Sequence, residues 1–457
     1  MLGLFGFLIV GIIVFLLLKK ITVPAIAFIV VPTVMVLIAG FMGFLPEAAL
    51  MNGNVLEPFS FLTAGRFIRE GVQGTYETAA LFIFSITFFC LMDDAGLFER
   101  IIGGLAKKAG NNVILVCMLT TLIAMIGHLD GSGASTFLIT IPAMYPVFKR
   151  LKMRSTSLML IVTSAMGVMN LLPWGGPTIR AASVISMDAG ELWRSILPMQ
   201  GVGVILAFAV SFIVGKMEIK NGAGYDPDFK PSLTAGGGET KPTEEKTALR
   251  RPKLFWFNLA LTLATIAALC FVSVPSFYLF MIATAIALLV NYPGNKVQSA
   301  RIGAHAKGAV MMSSTLLAAG VLLGILQKSG MMDSMGTLMV SVIPPVLGPY
   351  TAIIIGIFSA PLALAFDTDS YYYGVLPVVI SVAGSYNVPP AAVAVTMVVC
   401  RNLACFISPM VPATLLGCGL AEVEINEHIK TSFFWVWGMS LVMLISGLLF
   451  GIVPVAG

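Results

Sequence analysis

Three kinds of residue in this chain could do chemistry, and all of them sit inside apolar surroundings. The first is the carboxylate of Asp130 in IGHLDGSGAS (126–135), flanked by glycines and serines between the apolar runs NNVILVCMLTTLIAM and TFLITIPAMYPVF. The second is the pair Asp367 and Asp369 in FDTDS (366–370). The third is Arg401, deep in the apolar stretch AAVAVTMVVCRNLACFI (391–407). Glycine lets backbone turn and expose N–H and C=O groups, and Asp and hydroxyl oxygens suit hard cations or a titrating proton. Asp130, Asp367, Asp369 and His128 are therefore the candidates for metal or proton coupling, with Gly131, Ser132, Gly133, Thr368 and Ser370 beside them as candidate substrate contacts. The structural alternative is that each Asp merely caps a short helix, and that His128 is a hydrogen-bonded core histidine.

Two further stretches disturb otherwise apolar spans. NLLPWGGPT (170–178) and NLACFISPMVPAT (402–414) each carry two prolines, Pro173 with Pro177 and Pro409 with Pro412. Proline removes a backbone donor and clashes with the preceding turn, so two so close together unwind a helix. Half-helix N-termini then favour anions and loose carbonyls favour cations. This makes Asn170, Gly175, Gly176, Thr178, Asn402, Ser408 and Thr414 candidate substrate contacts. A lone Arg at membrane depth costs about 3 kcal/mol or more unless paired, so Arg401 needs either a substrate carboxylate or a structural partner such as Asp367 or Asp369. Asp93 and Asp94 read as ordinary interfacial charges, and the many Met and Phe as packing or lipid-facing residues.

What must position these groups is a membrane bundle. With 58% hydrophobic residues, 11% charged and a mean hydropathy of +0.96, the chain lies far from soluble domains, which carry about 25% charge. The first twenty residues place their lysines after the apolar run and have no small-residue cleavage site, so they read as a first spanning helix and not a signal. The six cysteines lie mostly in apolar segments and their spacing suggests neither a metal site nor a disulfide framework. A net charge of +5 gives no reason to expect a nucleic-acid partner.

Apolar stretches of spanning length occur near 1–18, 23–44, 76–92, 155–188, 196–216, 254–273, 276–292, 307–327, 389–421 and 432–455. Segments 112–148 and 350–387 instead hold two short apolar arms around a polar tip, which predicts re-entrant hairpins. In this topology Arg66, Arg69, Arg180, Arg194 and Lys328 fall on one face, Arg401 within a span, and every other Lys and Arg on the opposite face. The termini are then outside and the Lys-rich loops cytoplasmic, in a multi-pass protein of the cytoplasmic (inner) membrane.

The hydrophilic insert 217–252 reads as a flexible cytoplasmic linker between two similar halves, 1–216 and 253–457. Gly96-Leu97-Phe98-Glu99 recurs as Gly330-Met331-Met332-Asp333, Asp130 as Asp367, Pro142 as Pro377, and the proline pairs recur as well. The offset stays between 234 (Gly96 to Gly330) and 237 (Asp130 to Asp367). The expected fold is an all-α polytopic membrane protein of two inverted repeats. Each repeat has five crossings, one re-entrant hairpin (112–148; 350–387) and one proline-broken helix (155–188; 389–421). Inverted repeats with interrupted helices mark secondary transporters whose site lies near mid-membrane, where the two hairpin tips approach each other.

Three tip carboxylates against one deep arginine suit a substrate that arrives with a metal ion or protons better than a free polyanion. At GHLDGSGASTFLITIPAMYP, NLLPWGGPT and AFDTDSYYYGVLPV the chain resembles the citrate–divalent metal–proton symporter family of the ion-transporter superfamily, with the likeness of layout extending over essentially all 457 residues. That resemblance implies proton symport of citrate complexed with a divalent metal such as Mg²⁺ or Ca²⁺ as co-substrate, and no covalent cofactor. It also implies a scaffold and a mobile transport domain, and in the wider superfamily an elevator-like homodimer. Sodium-coupled dicarboxylate relatives have Ser-Asn-Thr at the tips, where this chain has Asp-Gly-Ser and Asp-Thr-Asp, so their sodium sites do not carry over. The alternatives are proton- or sodium-coupled transport of free di- or tricarboxylates, a cation–proton antiporter and, remotely, an intramembrane aspartyl protease built on paired aspartates.

Overall fold

The computed structural model describes residues 1–53, 55–107, 110–224, 248–272, 274–342, 344 and 346–456. Most of the expected linker 217–252 therefore lies outside the described residues. Its described edges are the end of helix Ala189–Lys220 and the segment from Ala248.

The described residues are all-α apart from a two-stranded antiparallel ribbon, Met51–Asn52 with Val55–Leu56. Among the described residues nine helices are long and apolar enough to cross a membrane, and four apolar helices are shorter. The spans begin where local chemistry says they should. Proline opens Pro24–Phe41, Pro390–Asn402 and Pro412–Leu420, where a missing N–H costs nothing. Asn112 caps Val113–Gly127 through Leu115 N, and Asp188 caps Ala189–Lys220 through the N–H groups of Gly190 and Glu191.

Helix Asn295–Lys328 has 34 residues. At about 1.5 Å per residue it is much longer than a hydrocarbon core of about 30 Å. The expected span 307–327 is therefore only its apolar part, and the preceding turns carry Lys296, Arg301 and His305 beyond it. This helix is the axis of one packing group, in contact with Pro24–Phe41, Phe61–Gln73 and Tyr76–Asp94. The contact with Phe61–Gln73 is backbone on backbone. A Cβ added to Gly324 would lie 2.2 Å from Phe67 O, and one added to Gly71 would lie 2.1 Å from Gly320 O. The second group gathers Val113–Gly127, Gly133–Arg150, Ser155–Met169, Ala189–Lys220, Thr351–Ala365, Pro390–Asn402 and Ile425–Leu449.

Gly96 and Gly330 both adopt left-handed backbone, with φ of +79° and +77°, and each precedes a short helix, Leu97–Lys107 and Met331–Val342. The same succession follows both glycines: a short helix, an apolar helix, a polar tip, a second arm, an interrupted helix and a long final helix. The short helices are amphipathic, with Leu97, Phe98, Ile102, Met331 and Met335 buried and Glu99, Arg100, Asp333 and Thr337 exposed.

Candidate functional site

The first tip is a single 3₁₀ turn, His128–Asp130, between Val113–Gly127 and Gly133–Arg150. Gly131 closes it at φ +71°, and a side chain there would meet Trp174. Ser132 caps the second arm through Ser135 N, and Asp130 Oδ1 accepts from Ser132 N at 2.8 Å. Ser132 is thus the capping residue of this arm, and Asp130 closes the turn ahead of it. His128 is fully buried: Nδ1 lies 2.8 Å from Thr136 Oγ1, Nε2 lies 3.4 Å from Asn170 Oδ1, and its ring meets Phe406 edge-on. These contacts are those of a core histidine tied to the tip.

The first interrupted helix ends at Met169 and resumes at Gly176, and the second ends at Asn402 and resumes at Pro412. The two breaks meet. Asn170 Nδ2 donates to Asn402 Oδ1 at 3.2 Å, and a Cβ on Gly167 would lie 2.9 Å from Asn402 O. The first tip rests on both breaks, since Trp174 Nε1 donates to Leu129 O at 2.7 Å and Gly133 packs against Phe406 and Ala413. Gly175 packs on Asn170 O, and Gly176 O accepts from Arg180 Nη1. Thr178 Oγ1 donates to Leu171 O, Ser408 Oγ accepts from Met410 N, and Thr414 Oγ1 is buried without a partner among the described residues.

The second tip lies between Thr351–Ala365 and a π-helical turn, Ser370–Val375, that runs into Leu376–Gly384. Short π-helical segments recur at functional sites. Asp367 caps this arm, accepting from Ser370 N at 2.7 Å and from Ser370 Oγ at 3.0 Å. Arg401 is fully buried beneath the tip. Its Nη2 donates to Phe366 O at 3.3 Å and to Thr368 Oγ1 at 3.4 Å, and its guanidinium lies 5.1 Å and 5.6 Å from the rings of Tyr371 and Tyr372.

The structure bears on both arginines, and for Arg401 it closes one of the two alternatives. Arg401 pairs with neither Asp367 nor Asp369: among the described residues no carboxylate lies within ion-pair distance of it, and its Nε is buried without a partner. Arg180, expected on the outer face, is not a solvent-exposed charge. It is buried in Gly176–Val184, and its Nε donates to Asp369 Oδ1 at 2.6 Å. Sequence reasoning left Arg180 out of the candidate site, although its place one turn after a proline break was a signal. The buried tyrosines 371–373 were missed too, because a run of aromatic residues in an apolar arm reads as packing.

The tips do not meet directly through any hydrogen bond among the described residues. They are bridged by the breaks: His128 to Asn170, Asn170 to Asn402, and the neighbouring Arg401 to Thr368. Both cationic groups serve the second tip, so the two tips differ in charge despite their similar backbone. Asp94 lies apart, bonded to His305 at 2.8 Å and Arg301 at 3.5 Å. No group of three or more His, Cys, Asp or Glu among the described residues could hold a metal by itself.

A bundle of spanning helices with two capped polar turns set against two interrupted helices defines a polytopic membrane transporter. The fold is similar to that of the YdaH transporter of Alcanivorax borkumensis, with a TM-score of 0.63 at 12% identity over 95% of this chain and 100% of that one. It is also similar to MtrF of Neisseria gonorrhoeae, with a TM-score of 0.61 at 12% identity over 93% and 95%. Residues 8–400 match the citrate transporter family, and the chain belongs to that family. It is 35% identical to a citrate transporter of Bacillus subtilis (strain 168) over 99% of this chain and all of that one. It is 33% identical, over the full length of both, to a Mg(2+)/citrate complex secondary transporter of the same organism. Membership makes this chain a transporter and not an enzyme, which removes the intramembrane protease reading.

Proposed function

We propose that the protein takes up citrate complexed with a divalent metal ion by proton symport across the cytoplasmic membrane. The observation that carries this reading is Arg401, a buried guanidinium with no carboxylate partner among the described residues, directly under a tip that bears two aspartates. An uncompensated charge at that depth is costly. A citrate carboxylate would supply the missing partner in the planar geometry that the guanidinium fork favours. The metal ion, as cargo, would complete its oxygen shell from the tips.

In this reading Arg401, Asn402, Asn170, Thr178, Ser408, Thr414, Thr368, Ser370 and the backbone at Gly131, Ser132, Gly133, Gly175 and Gly176 contact citrate. Asp130, Asp367, Asp369 and His128 serve the metal and the coupling proton. Several of these polar groups are engaged with one another, among them Thr178 with Leu171 O and Ser370 with Asp367, so substrate must exchange for those bonds. The similarity to a Mg(2+)/citrate complex transporter supports the metal complex over free citrate.

We also propose that the halves 1–216 and 253–457 are inverted repeats, with re-entrant hairpins at 112–148 and 350–387 and broken helices at 155–188 and 389–421. The termini are outside and 217–252 is cytoplasmic, as the Lys and Arg distribution supports. The glycine contacts support elevator movement, because Gly71, Gly320 and Gly324 lock one helix group while Gly167 locks the two breaks together. The family resemblance supports a homodimer.

Proteoliposome uptake of labelled citrate tests the reading. Mg²⁺ should support uptake, a chelator should abolish it, and an acid-outside gradient should drive it. Undiminished uptake in chelator refutes the metal complex, and indifference to the gradient refutes proton symport.

A further inference from the structure

Arg180 and Asp369 come from opposite halves of the chain and meet at the second tip. The guanidinium carries 8% side-chain exposure and the carboxylate 18%. Arg180 Nη1 donates to Gly176 O at 3.0 Å, but among the described residues Nη2 donates only to the weak acceptor Met312 Sδ at 3.9 Å. The fork is therefore half used. Asp367, two positions from Asp369, is differently placed, because both of its oxygens are engaged by Ser370. Neither Arg180 nor Asp369 has a like residue at the corresponding place in the other half. Shifting Arg180 by the offset of 236 that relates Pro173 to Pro409 reaches Leu416, and Asp369 stands against Ser132 by the 237 of Asp130 to Asp367.

We infer that the Arg180–Asp369 pair is the element by which the site selects the metal–citrate complex over either component alone. This rests on the function proposed above. Opening a buried ion pair leaves two charges in a medium that penalises both. Free citrate can take Arg180 only by leaving Asp369 bare beside a polyanion. A free divalent cation can take Asp369 only by leaving Arg180 bare beside a like charge. The complex presents both signs at once: carboxylate oxygens for the guanidinium and a cation with open coordination positions for the carboxylate. It can insert into the pair so that each group exchanges one partner for another. Specificity then comes from the penalty imposed on the wrong ligands as much as from contacts with the right one.

Isothermal titration of the detergent-purified protein with citrate plus Mg²⁺, citrate plus chelator, and Mg²⁺ alone tests this. The wild-type protein should prefer the complex. Asp369→Asn should lower the ratio of complex to free-citrate affinity by at least about tenfold, the worth of one charge-assisted hydrogen bond, because Arg180 is freed while a metal ligand is lost. Arg180→Gln should do the converse and let Mn²⁺ bind without citrate, read by electron paramagnetic resonance. A wild-type protein with no preference would refute the underlying function. A wild-type preference retained within about twofold by Asp369→Asn would overturn the inference alone. If Asp369→Asn does not fold, Arg180→Gln decides: citrate-free Mn²⁺ binding no higher than wild type overturns the inference.

Discussion

Replacing Arg401 by Met separates a binding role from a structural one, because the two roles predict opposite patterns of stability. The favourable contacts of Arg401 are few: two long hydrogen bonds at 3.3 and 3.4 Å, a weak one from Nη1 to Cys405 Sγ at 3.8 Å, and two ring contacts at 5.1 and 5.6 Å. Charge-assisted hydrogen bonds are worth about 1.5 kcal/mol each at the low end, and ring contacts about 1 kcal/mol each. Against this stands a desolvation cost of several kcal/mol for a buried cation without a carboxylate. These terms nearly cancel. Arg401→Met should therefore leave the stability of the substrate-free protein within about 2 kcal/mol of wild type. Binding is a separate matter: ligand at 100 times Kd stabilises by about 2.7 kcal/mol, and that increment should vanish in the variant. Thermal unfolding of the detergent-purified protein, followed by tryptophan fluorescence with and without Mg²⁺–citrate, reads both quantities. The wild-type protein should shift upward on adding substrate, and the variant should unfold near the wild-type substrate-free temperature with no shift. A variant whose substrate-free midpoint falls by roughly ten degrees would show that Arg401 is a structural ion after all, and would refute the reasoning.

Arg401→Lys should retain the charge but weaken Mg²⁺–citrate binding by about ten- to a hundredfold, because a point charge replaces a planar fork; calorimetry with unchanged affinity would count against a bidentate contact. Asp130→Asn and Asp367→Asn keep an acceptor oxygen for Ser132 N and Ser370 N, so both should insert normally yet suppress proton-driven citrate uptake in proteoliposomes. Normal uptake by either would remove it from the site. Gly324→Ala places a methyl 2.2 Å from Phe67 O and should cost about 1–3 kcal/mol in thermal unfolding, whereas Gly103→Ala meets nothing within 4 Å and should be neutral or slightly stabilising. Glu218 is buried and holds Arg154 Nε and Ser157 Oγ, both at 2.7 Å, so Glu218→Ala should lower stability by about 1–3 kcal/mol in the same assay, with Arg154 half exposed and able to rehydrate.

Much of this protein is legible in the chain because the membrane leaves few options. Apolar runs of spanning length must be helices, and any interruption must be polar backbone sheltered by protein. GHLDGSG, FDTDS and the paired prolines therefore announce a turn or a break by residue type alone, and the turns and breaks lie where those residues are. Asp367 as a cap was equally readable, since Ser370 is three residues away, whereas at the first tip the cap is Ser132 and Asp130 closes the turn before it.

What the sequence could not determine is which charges neutralise which. Arg180 and Asp369 are 189 positions apart, and Asn170 and Asn402 are 232 apart. The proline break before Arg180 marks it as a candidate, but nothing local assigns Asp369 to it and not to Arg401. The amphipathic helices Leu97–Lys107 and Met331–Val342 escaped a hydropathy reading for a related reason, because their apolar faces gain meaning only against a neighbouring helix. Secondary structure in a membrane is dictated by the need of each backbone group for a partner, and that need is met within a few residues. Ion pairing is dictated by proximity after folding, and only the tertiary arrangement of the two breaks against the two tips decides it.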